Sequence, residues 1–252
     1  MRRRRSRFVV WLSPQGGLKL VMSALLVALM LVVYTYELPS TKTWTQWTMP
    51  LSGKTIVLDA GHGGPDGGAS SKDGVIEKDI NLAIALYLRD YLQQSGAIVV
   101  LTRDEDEDLA AQDTKGYSRR KTEDLMKRSD FIAKQNADLL LSVHMNAIPS
   151  EKWRGAQAFF YTNHPDNARL AALIQDEVKK NLQNTDRVAK KLDANNYLLK
   201  TATMPAALLE LGFLSNPEEA RLLADPGYQK KVAAAVYQGV LRYFSGEKVG
   251  SL

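Results

Sequence analysis

The strongest constraint on the fold is a regular alternation along the chain between short apolar segments and longer segments of helical periodicity. Strand composition recurs in five segments: 54–59, 97–102, 138–144, 155–161 and 206–211. Between the first two, apolar residues repeat at helical spacing from Ile80 to Leu88. Further helices are predicted in four places: 118–136, after Asp166, after Asn216, and from Asp225. Strands that alternate with helices predict an α/β domain with a mostly parallel sheet covered by helices on both faces.

Composition places the chain among globular proteins and limits the chemistry of any metal site. The 252 residues are 45% hydrophobic and 24% charged, which is enough apolar material for one sizeable core. The chain has no cysteine, so disulfides, thiolate metal sites and cysteine nucleophiles are excluded. A metal ion bound by this chain must therefore be held by histidine and carboxylate.

The net charge of +5 comes from the amino terminus. Six basic residues and no acidic residue lie within residues 1–19, whereas the rest of the chain has 27 basic and 28 acidic residues. A domain that binds nucleic acid needs its basic groups clustered on the folded surface. This distribution therefore predicts no nucleic-acid partner.

A membrane-engaging segment follows this basic leader. Residues 20–34 are apolar except for Ser23, and the longer range 20–36 just reaches the roughly 17 residues needed to cross a bilayer. No small-residue cleavage site follows it, so an uncleaved anchor is favoured over a signal peptide, and a buried core helix is the weaker alternative. The basic leader is expected to stay in the cytoplasm. The remaining regions are then a stalk at 37–53, an exported domain at 54–245 and a tail at 246–252.

Two of the three histidines lie where a parallel sheet places functional side chains. His62 lies in the loop after the first predicted strand, and His144 ends the third. A lone histidine is more often structural or exposed than a ligand, but two at the carboxyl ends of strands favour a shared site. His164 precedes a helix cap and is predicted to lie at the surface.

The loop around His62 has five glycines within residues 59–68, which let the backbone bend tightly beside an accessible imidazole. A phosphate-binding loop is the competing interpretation, but the segment has neither a GK[ST] sequence nor the G-x-G-x-x-G spacing. Glu77 follows at the start of the next helix. It either offsets the helix dipole or, between Ile76 and Ile80, is a third ligand beside the histidines.

His62, Glu77 and His144 would form a set of two histidines and one carboxylate, which leaves a fourth position of zinc for water. Such a site needs a base, and Glu210 lies within the strongly apolar strand predicted at 206–211. Burial there would raise the pKa of Glu210 toward the range of a general base. The alternative is a solvent-facing residue on an edge strand.

Four blocks of the sequence carry these candidate residues, at 58–64, 77–82, 142–147 and 210–216. In order and spacing they resemble the zinc-dependent N-acetylmuramoyl-L-alanine amidases of the Amidase_3 type. The resemblance covers roughly residues 54–244 and implies a twisted six-stranded α/β sheet. It also implies that His62, Glu77 and His144 bind Zn2+ and that Glu210 is the catalytic glutamate.

Within this family the chain is most similar to the sporulation- and germination-specific branch. The similarity rests on residues 50–54, 114–121 and 146–153, and on a short apolar segment without wall-binding repeats. It implies hydrolysis of the bond between muramic acid and L-alanine in peptidoglycan, with glycan strands and their stem peptides as substrate. It further implies action on spore cortex, a step toward muramic-δ-lactam, at the cortex side of the forespore envelope.

Two other functions and two further residues stay open at this stage. A zinc carboxypeptidase would need a basic pocket for a free carboxylate, for which Arg103 is the nearest candidate. A wall-binding protein without catalysis would keep the metal site as a relic, although a decayed site is expected to have lost a member. Asp59 either orients a ligand imidazole or is a structural acid at a strand end. Asn146 is a candidate substrate contact.

Overall fold

The computed structural model describes residues 13–35 and 49–250, which belong to two separate units. The first unit contains helix α1 (Pro14–Thr35). Its residues Pro14–Val33 are long and apolar enough to cross a membrane, judged by length and composition. The segment predicted at 20–36 therefore falls almost entirely within one helix. Most of the predicted leader and stalk, residues 1–12 and 36–48, lies outside the described residues.

The second unit combines six strands with six helices among the residues described from 49 to 250. The strands are β1 (Thr55–Ala60), β2 (Ile98–Leu101), β3 (Leu139–Asn146), β4 (Gln157–Phe160), β5 (Lys190–Lys191) and β6 (Ala206–Phe213). The helices are α2 (Glu77–Gln94), α3 (Tyr117–Ala133), α4 (Asn167–Leu182), α5 (Tyr197–Thr201), α6 (Pro217–Ala224) and α7 (Pro226–Phe244). Each predicted strand is present with its ends shifted by one or two residues, whereas β5 and α5 were not predicted.

The six strands form one sheet in the order β2-β1-β3-β6-β4-β5. All neighbours are parallel except β4 and β6, which are antiparallel. The prediction of a mostly parallel α/β sheet is confirmed. This order makes β1, β3 and β6 interior strands, and because they run in the same direction their carboxyl ends meet at one edge of the sheet.

Apolar side chains cover both faces of the sheet, because successive strand residues point to opposite sides. On one face, Leu58 and Leu209 belong to a buried cluster with residues of α2, α4 and α7. On the other face, Val57, Leu140 and Leu208 pack with residues of α3 and α5. The second face turns polar toward the carboxyl ends of the strands, where the alternation places these side chains: Asp59, Ser142, His144 and Glu210.

The compact unit is longer at both ends than the domain predicted at 54–245. Leu51 is fully buried, and its N–H donates to the Ser95 carbonyl at 2.9 Å. At the other end, Val249 packs against the core and Glu247 accepts a hydrogen bond from Arg242 Nε at 2.9 Å. The described parts of the predicted stalk and tail therefore belong to the folded unit, while residues 251–252 lie outside the described residues.

Candidate active site

The loop after β1 holds His62 in a backbone conformation that residues other than glycine rarely adopt. Its φ is 63°, in the left-handed region. Two buried arginines fix this loop through its carbonyl oxygens: Arg128 Nη2 donates to His62 O at 2.6 Å, and Arg103 Nη2 donates to Gly61 O at 3.1 Å. The hydrogen bonds from these arginines to the loop backbone thus hold the conformation that presents the imidazole.

The structure brings His62, Glu77 and His144 together from three separate elements. One ligand atom from each lies within 4.8 Å of the others. Glu77 Oε1 is 3.2 Å from His62 Nε2 and 3.0 Å from His144 Nδ1. The two imidazole rings meet edge to face with their centroids 5.0 Å apart. Three potential ligands therefore converge on one point at the carboxyl edge of the sheet.

Glu77 is buried and held from several sides, so its position does not depend on the histidines alone. Its Oε2 accepts from the Ala69 N–H at 2.8 Å, and its Oε1 accepts from the Met145 N–H at 3.1 Å. Burial acts to raise its pKa, but hydrogen bonds from His144 and His62 outweigh this and hold the pKa of Glu77 well below its usual range. The carboxylate is therefore ionised at neutral pH.

Asp66 lies against the candidate ligand His62, a contact that the sequence analysis missed. Its Oδ2 lies 2.9 Å from His62 Nδ1, and it also accepts from Tyr117 Oη at 2.7 Å and pairs with Lys121 Nζ at 2.9 Å. Burial opposes protonation of His62, but hydrogen bonds to Asp66 and Glu77 prevail and raise its pKa to about 9. The only sequence signal was an aspartate four residues after the histidine in the same glycine-rich loop.

Two glycines make room for the cluster. A Cβ atom at Gly61 would overlap the His144 ring, and a Cβ atom at Gly68 would lie 2.7 Å from His62 Cδ2. These positions can hold no larger residue without moving a ligand side chain. The donor set of two imidazoles and one ionised carboxylate is one that suits zinc. The residues present therefore fit a zinc ion.

Glu210 lies beside this cluster on β6, in register with His144 on β3. Its Oε2 is buried and has no hydrogen-bond partner among the described residues. Burial, with a smaller contribution from Glu77, raises the pKa of Glu210 although the two histidines oppose the shift. The edge-strand alternative is excluded, because β6 lies between β3 and β4. The residue as a whole is half-buried, and an unpaired buried carboxylate oxygen such as its Oε2 is costly to maintain.

Asp59 contacts no ligand imidazole through a hydrogen bond of its own, and its structural interpretation is the one the contacts favour. Its Oδ1 accepts from Arg128 Nη1 at 2.9 Å and from Thr102 Oγ1 at 2.8 Å, and its Oδ2 accepts from Ser142 Oγ at 2.7 Å. The role of Asp59 in orienting a ligand imidazole stays a prediction, whereas Asp66 is the carboxylate that lies against His62 Nδ1.

Three other residues considered from the sequence lie outside the cluster. Arg103 is buried and donates to the backbone carbonyls of four residues: Ala60, Gly61, Lys78 and Glu105. It is thus engaged with the chain itself. Asn146 is the last residue of β3 and is half-buried, and its contact with substrate stays a prediction. His164 is half-buried and accepts from the Asp166 N–H at 3.2 Å.

A parallel sheet whose strand ends carry a His–Glu–His cluster beside a buried glutamate is typical of metal-assisted hydrolases. A family model described as N-acetylmuramoyl-L-alanine amidase matches residues 56–242. The chain belongs to this family, as the four sequence blocks indicated.

The relatives of this chain include amidases from Bacillus subtilis and Clostridioides difficile. The germination-specific N-acetylmuramoyl-L-alanine amidase of Bacillus subtilis is 51% identical over 217 residues, which cover 86% of this chain and 91% of that protein. The CwlD amidase of Clostridioides difficile, solved in complex with the GerS lipoprotein, is 42% identical with a TM-score of 0.75 and covers 77% of this chain and 100% of its own. AmiC2 of Nostoc punctiforme is 29% identical with a TM-score of 0.66, over 77% of this chain and 99% of its own. The similarity to the germination-specific branch is confirmed.

Proposed function

We propose that this chain is a zinc-dependent amidase that hydrolyses the bond between the lactyl group of muramic acid and the L-alanine of the stem peptide. The observation that carries the proposal is the convergence of His62, Glu77 and His144 within 4.8 Å, beside the unpartnered carboxylate of Glu210. Membership of the amidase family supports the reaction, and the donor set supports zinc.

Two of the three candidate ligands, His62 and Glu77, have contacts that suit metal binding. Zinc held by two histidines and a carboxylate acts as a Lewis acid that activates water and polarises a carbonyl group. Asp66 accepts the Nδ1 proton of His62, so Nε2, which faces the cluster, is the atom that would hold the metal once its own proton is displaced. Backbone N–H groups fix the carboxylate of Glu77.

Glu210 supplies the proton transfers. Its Oε2 accepts a proton from the attacking water, whose oxygen bonds to the lactyl carbonyl carbon. The same carboxyl group then delivers that proton to the L-alanine nitrogen as the C–N bond breaks. The products are the free lactyl carboxylate and a stem peptide with a free amino terminus. The burial that raises the pKa of Glu210 makes it a stronger base than an exposed glutamate.

The cellular role that we propose is the removal of stem peptides from muramic acid in spore cortex, a step toward muramic-δ-lactam. The germination-specific relative supports this assignment. Helix α1 supports attachment of the domain to a membrane, with catalysis outside the cytoplasm. The complex between the related CwlD amidase and a lipoprotein supports an accessory protein for this chain as well.

A zinc carboxypeptidase is the second candidate, and the contacts of Arg103 count against it. That enzyme needs a cationic group free to bind the terminal carboxylate of a peptide. Arg103 is 2% exposed, and its guanidinium donates to backbone carbonyls of the chain. The amidase is therefore the better-supported function.

The test is incubation of the full-length protein in detergent with glycan strands that carry stem peptides, with zinc or with a chelator, followed by mass spectrometry. We expect zinc-dependent release of intact stems that begin with L-alanine. Stems shortened from their carboxyl end would support the carboxypeptidase instead. If no peptide is released, even in the presence of an accessory lipoprotein, the chain would bind peptidoglycan without catalysis.

A further inference from the structure

A cationic groove of about 810 Å³ lies between the segment after β3 and the segment after α4. Three basic side chains line it, Arg154, Lys179 and Arg187, against a single acidic side chain, Asp186. The ring of Trp153 forms part of its wall, and this residue is 51% exposed. The groove therefore has the charge to bind an anion and an aromatic surface beside it.

Arg187 is the basic residue whose side chain is fixed in place, and its charge acts, with that of Arg154, on the buried carboxyl group of Glu219. Its guanidinium lies 5.4 Å from the centroid of the Trp153 ring and 5.3 Å from that of Phe213. Its hydrogen bonds, at 3.3 to 3.4 Å, go only to neutral oxygens of Arg154 and Gln157. Among the ion pairs formed by the described residues, none involves Arg187. A guanidinium has five N–H donors, so this one retains donors for a ligand.

The position of Arg187 relates directly to Glu210. Gln157 on β4 is the register partner of Glu210 on β6, and paired residues on adjacent strands point to the same face. Arg187 Nη1 donates to Gln157 Oε1 at 3.3 Å. Adjacent strands are roughly 4.8 Å apart, so Arg187 lies one strand and one glutamine side chain away from Glu210. An extended peptide advances roughly 3.4 Å per residue, so a peptide that begins at Glu210 can reach Arg187 within about its first two or three residues.

We propose that Arg187 binds a carboxylate on the second residue of the stem peptide. The inference rests on the proposed amidase function, which puts the first residue, L-alanine, at Glu210. A planar guanidinium matches a carboxylate through two parallel hydrogen bonds. Trp153 and Phe213 hold the guanidinium in one orientation and so reduce the entropy lost on binding. The chain thereby prefers stems whose second residue has a free carboxylate over stems in which that carboxylate is replaced by a carboxamide.

The first test compares glycan strands whose stems differ only in this group. For the zinc-loaded full-length protein we expect kcat/KM to be about tenfold higher for the carboxylate strands than for the carboxamide strands. Arg187→Gln is expected to bring this ratio close to one, and Arg187→Lys to leave an intermediate ratio. The control Lys191→Gln removes a positive charge from the exposed strand β5 and is expected to keep the wild-type ratio.

A second test needs no turnover. Four tryptophans occur in the chain, and replacing Trp11, Trp44 and Trp47 with phenylalanine leaves Trp153 as the only one. Free stem tripeptides with the carboxylate are expected to change its emission saturably, with an affinity about tenfold higher than that of carboxamide tripeptides. Arg187→Gln in this background is expected to abolish the difference.

The outcomes separate the two proposals. The role of Arg187 is overturned if the wild-type protein releases stems from carboxylate and carboxamide strands equally well. It is also overturned if Arg187→Gln keeps the wild-type preference. Either result leaves the proposed amidase function intact. Absence of stem release from any strand overturns the amidase, and the fluorescence titration then still decides whether Arg187 binds the carboxylate. If Lys191→Gln lost the preference for carboxylate strands to the same extent as Arg187→Gln, general surface charge would be its cause, and this result would also overturn the proposal.

Discussion

His144 and Glu210 occupy paired positions on the adjacent parallel strands β3 and β6. A candidate metal ligand and the candidate proton acceptor are thus held side by side on the same face of the sheet. β3 lies between β1 and β6, and β6 lies between β3 and β4, so hydrogen bonds on both sides fix each strand. Their separation is therefore set by backbone register, which is more rigid than a loop.

Replacement of Glu210 by glutamine should remove the proton acceptor and leave the metal ligands in place. We expect turnover to fall at least about a hundredfold, with zinc content unchanged as measured by atomic emission. The control Glu218→Gln alters an exposed glutamate at the start of α6 and should retain activity. Wild-type turnover in Glu210→Gln would show that another group moves the proton.

Replacement of Asp66 by asparagine should weaken zinc binding without removing a ligand. The substitution removes the charge that holds the Nδ1 proton of His62, so we expect zinc affinity to fall roughly tenfold to a hundredfold in a competition titration with a chelator. Asp73→Asn changes an exposed acid in the same loop and should bind zinc as wild type does. Unchanged affinity in Asp66→Asn would mean that the backbone alone orients His62.

A single methyl group at Gly61 should disable the site. The added Cβ would overlap the His144 ring, so that ring must rotate away from Glu77. We expect Gly61→Ala to lose zinc binding and turnover together while its far-ultraviolet circular dichroism stays that of a folded α/β domain. A zinc-loaded Gly61→Ala with wild-type turnover would contradict the close packing of this loop against His144.

Asp59 should contribute stability that disappears in acid. Burial opposes its ionisation, but Arg128, His144 and the Ser142 hydroxyl together outweigh burial and hold the pKa of Asp59 below its usual value. The contribution is therefore complete above the unfolded-state pKa of about 3.9 and is lost as the pH falls toward the folded-state pKa.

Denaturant unfolding as a function of pH checks this expectation. At neutral pH, Asp59→Asn should lower the free energy of unfolding by about 3 to 5 kcal/mol, because it removes the partner of a buried arginine. Below pH 4 the difference in the free energy of unfolding between Asp59→Asn and wild type should become smaller. Asp90→Asn removes an exposed ion pair with Arg89 and should cost less than about 1 kcal/mol. If this difference in the free energy of unfolding did not change with pH, the destabilisation of Asp59→Asn would come from packing alone.

Much of the fold followed from the sequence because buried parallel strands and amphipathic helices leave strong patterns. The interior strands were recognisable from runs such as those around Leu140 and Leu208. The strand β5 was not, because its two exposed lysines carry no apolar signal. The short helix α5 escaped for a similar reason, since five residues are too few to show a helical period.

The site was less completely predictable, because some of its contacts depend on tertiary geometry. His62, Glu77 and His144 were suggested by strand ends and a helix start. Asp66 reaches His62 only because the loop takes a left-handed turn at that residue. The burial of Arg128 runs against the usual exposure of arginine, and nothing local in the sequence indicates it.

The four residues proposed for the reaction lie on four separate elements spread from His62 to Glu210. No short stretch of chain carries them, so the site comes into being only when β6 has docked beside β3. Synthesis delivers Glu210 last, long after the three ligands. A chain whose synthesis is incomplete consequently lacks Glu210 at the site, and completion of folding sets the moment at which the proposed reaction can begin.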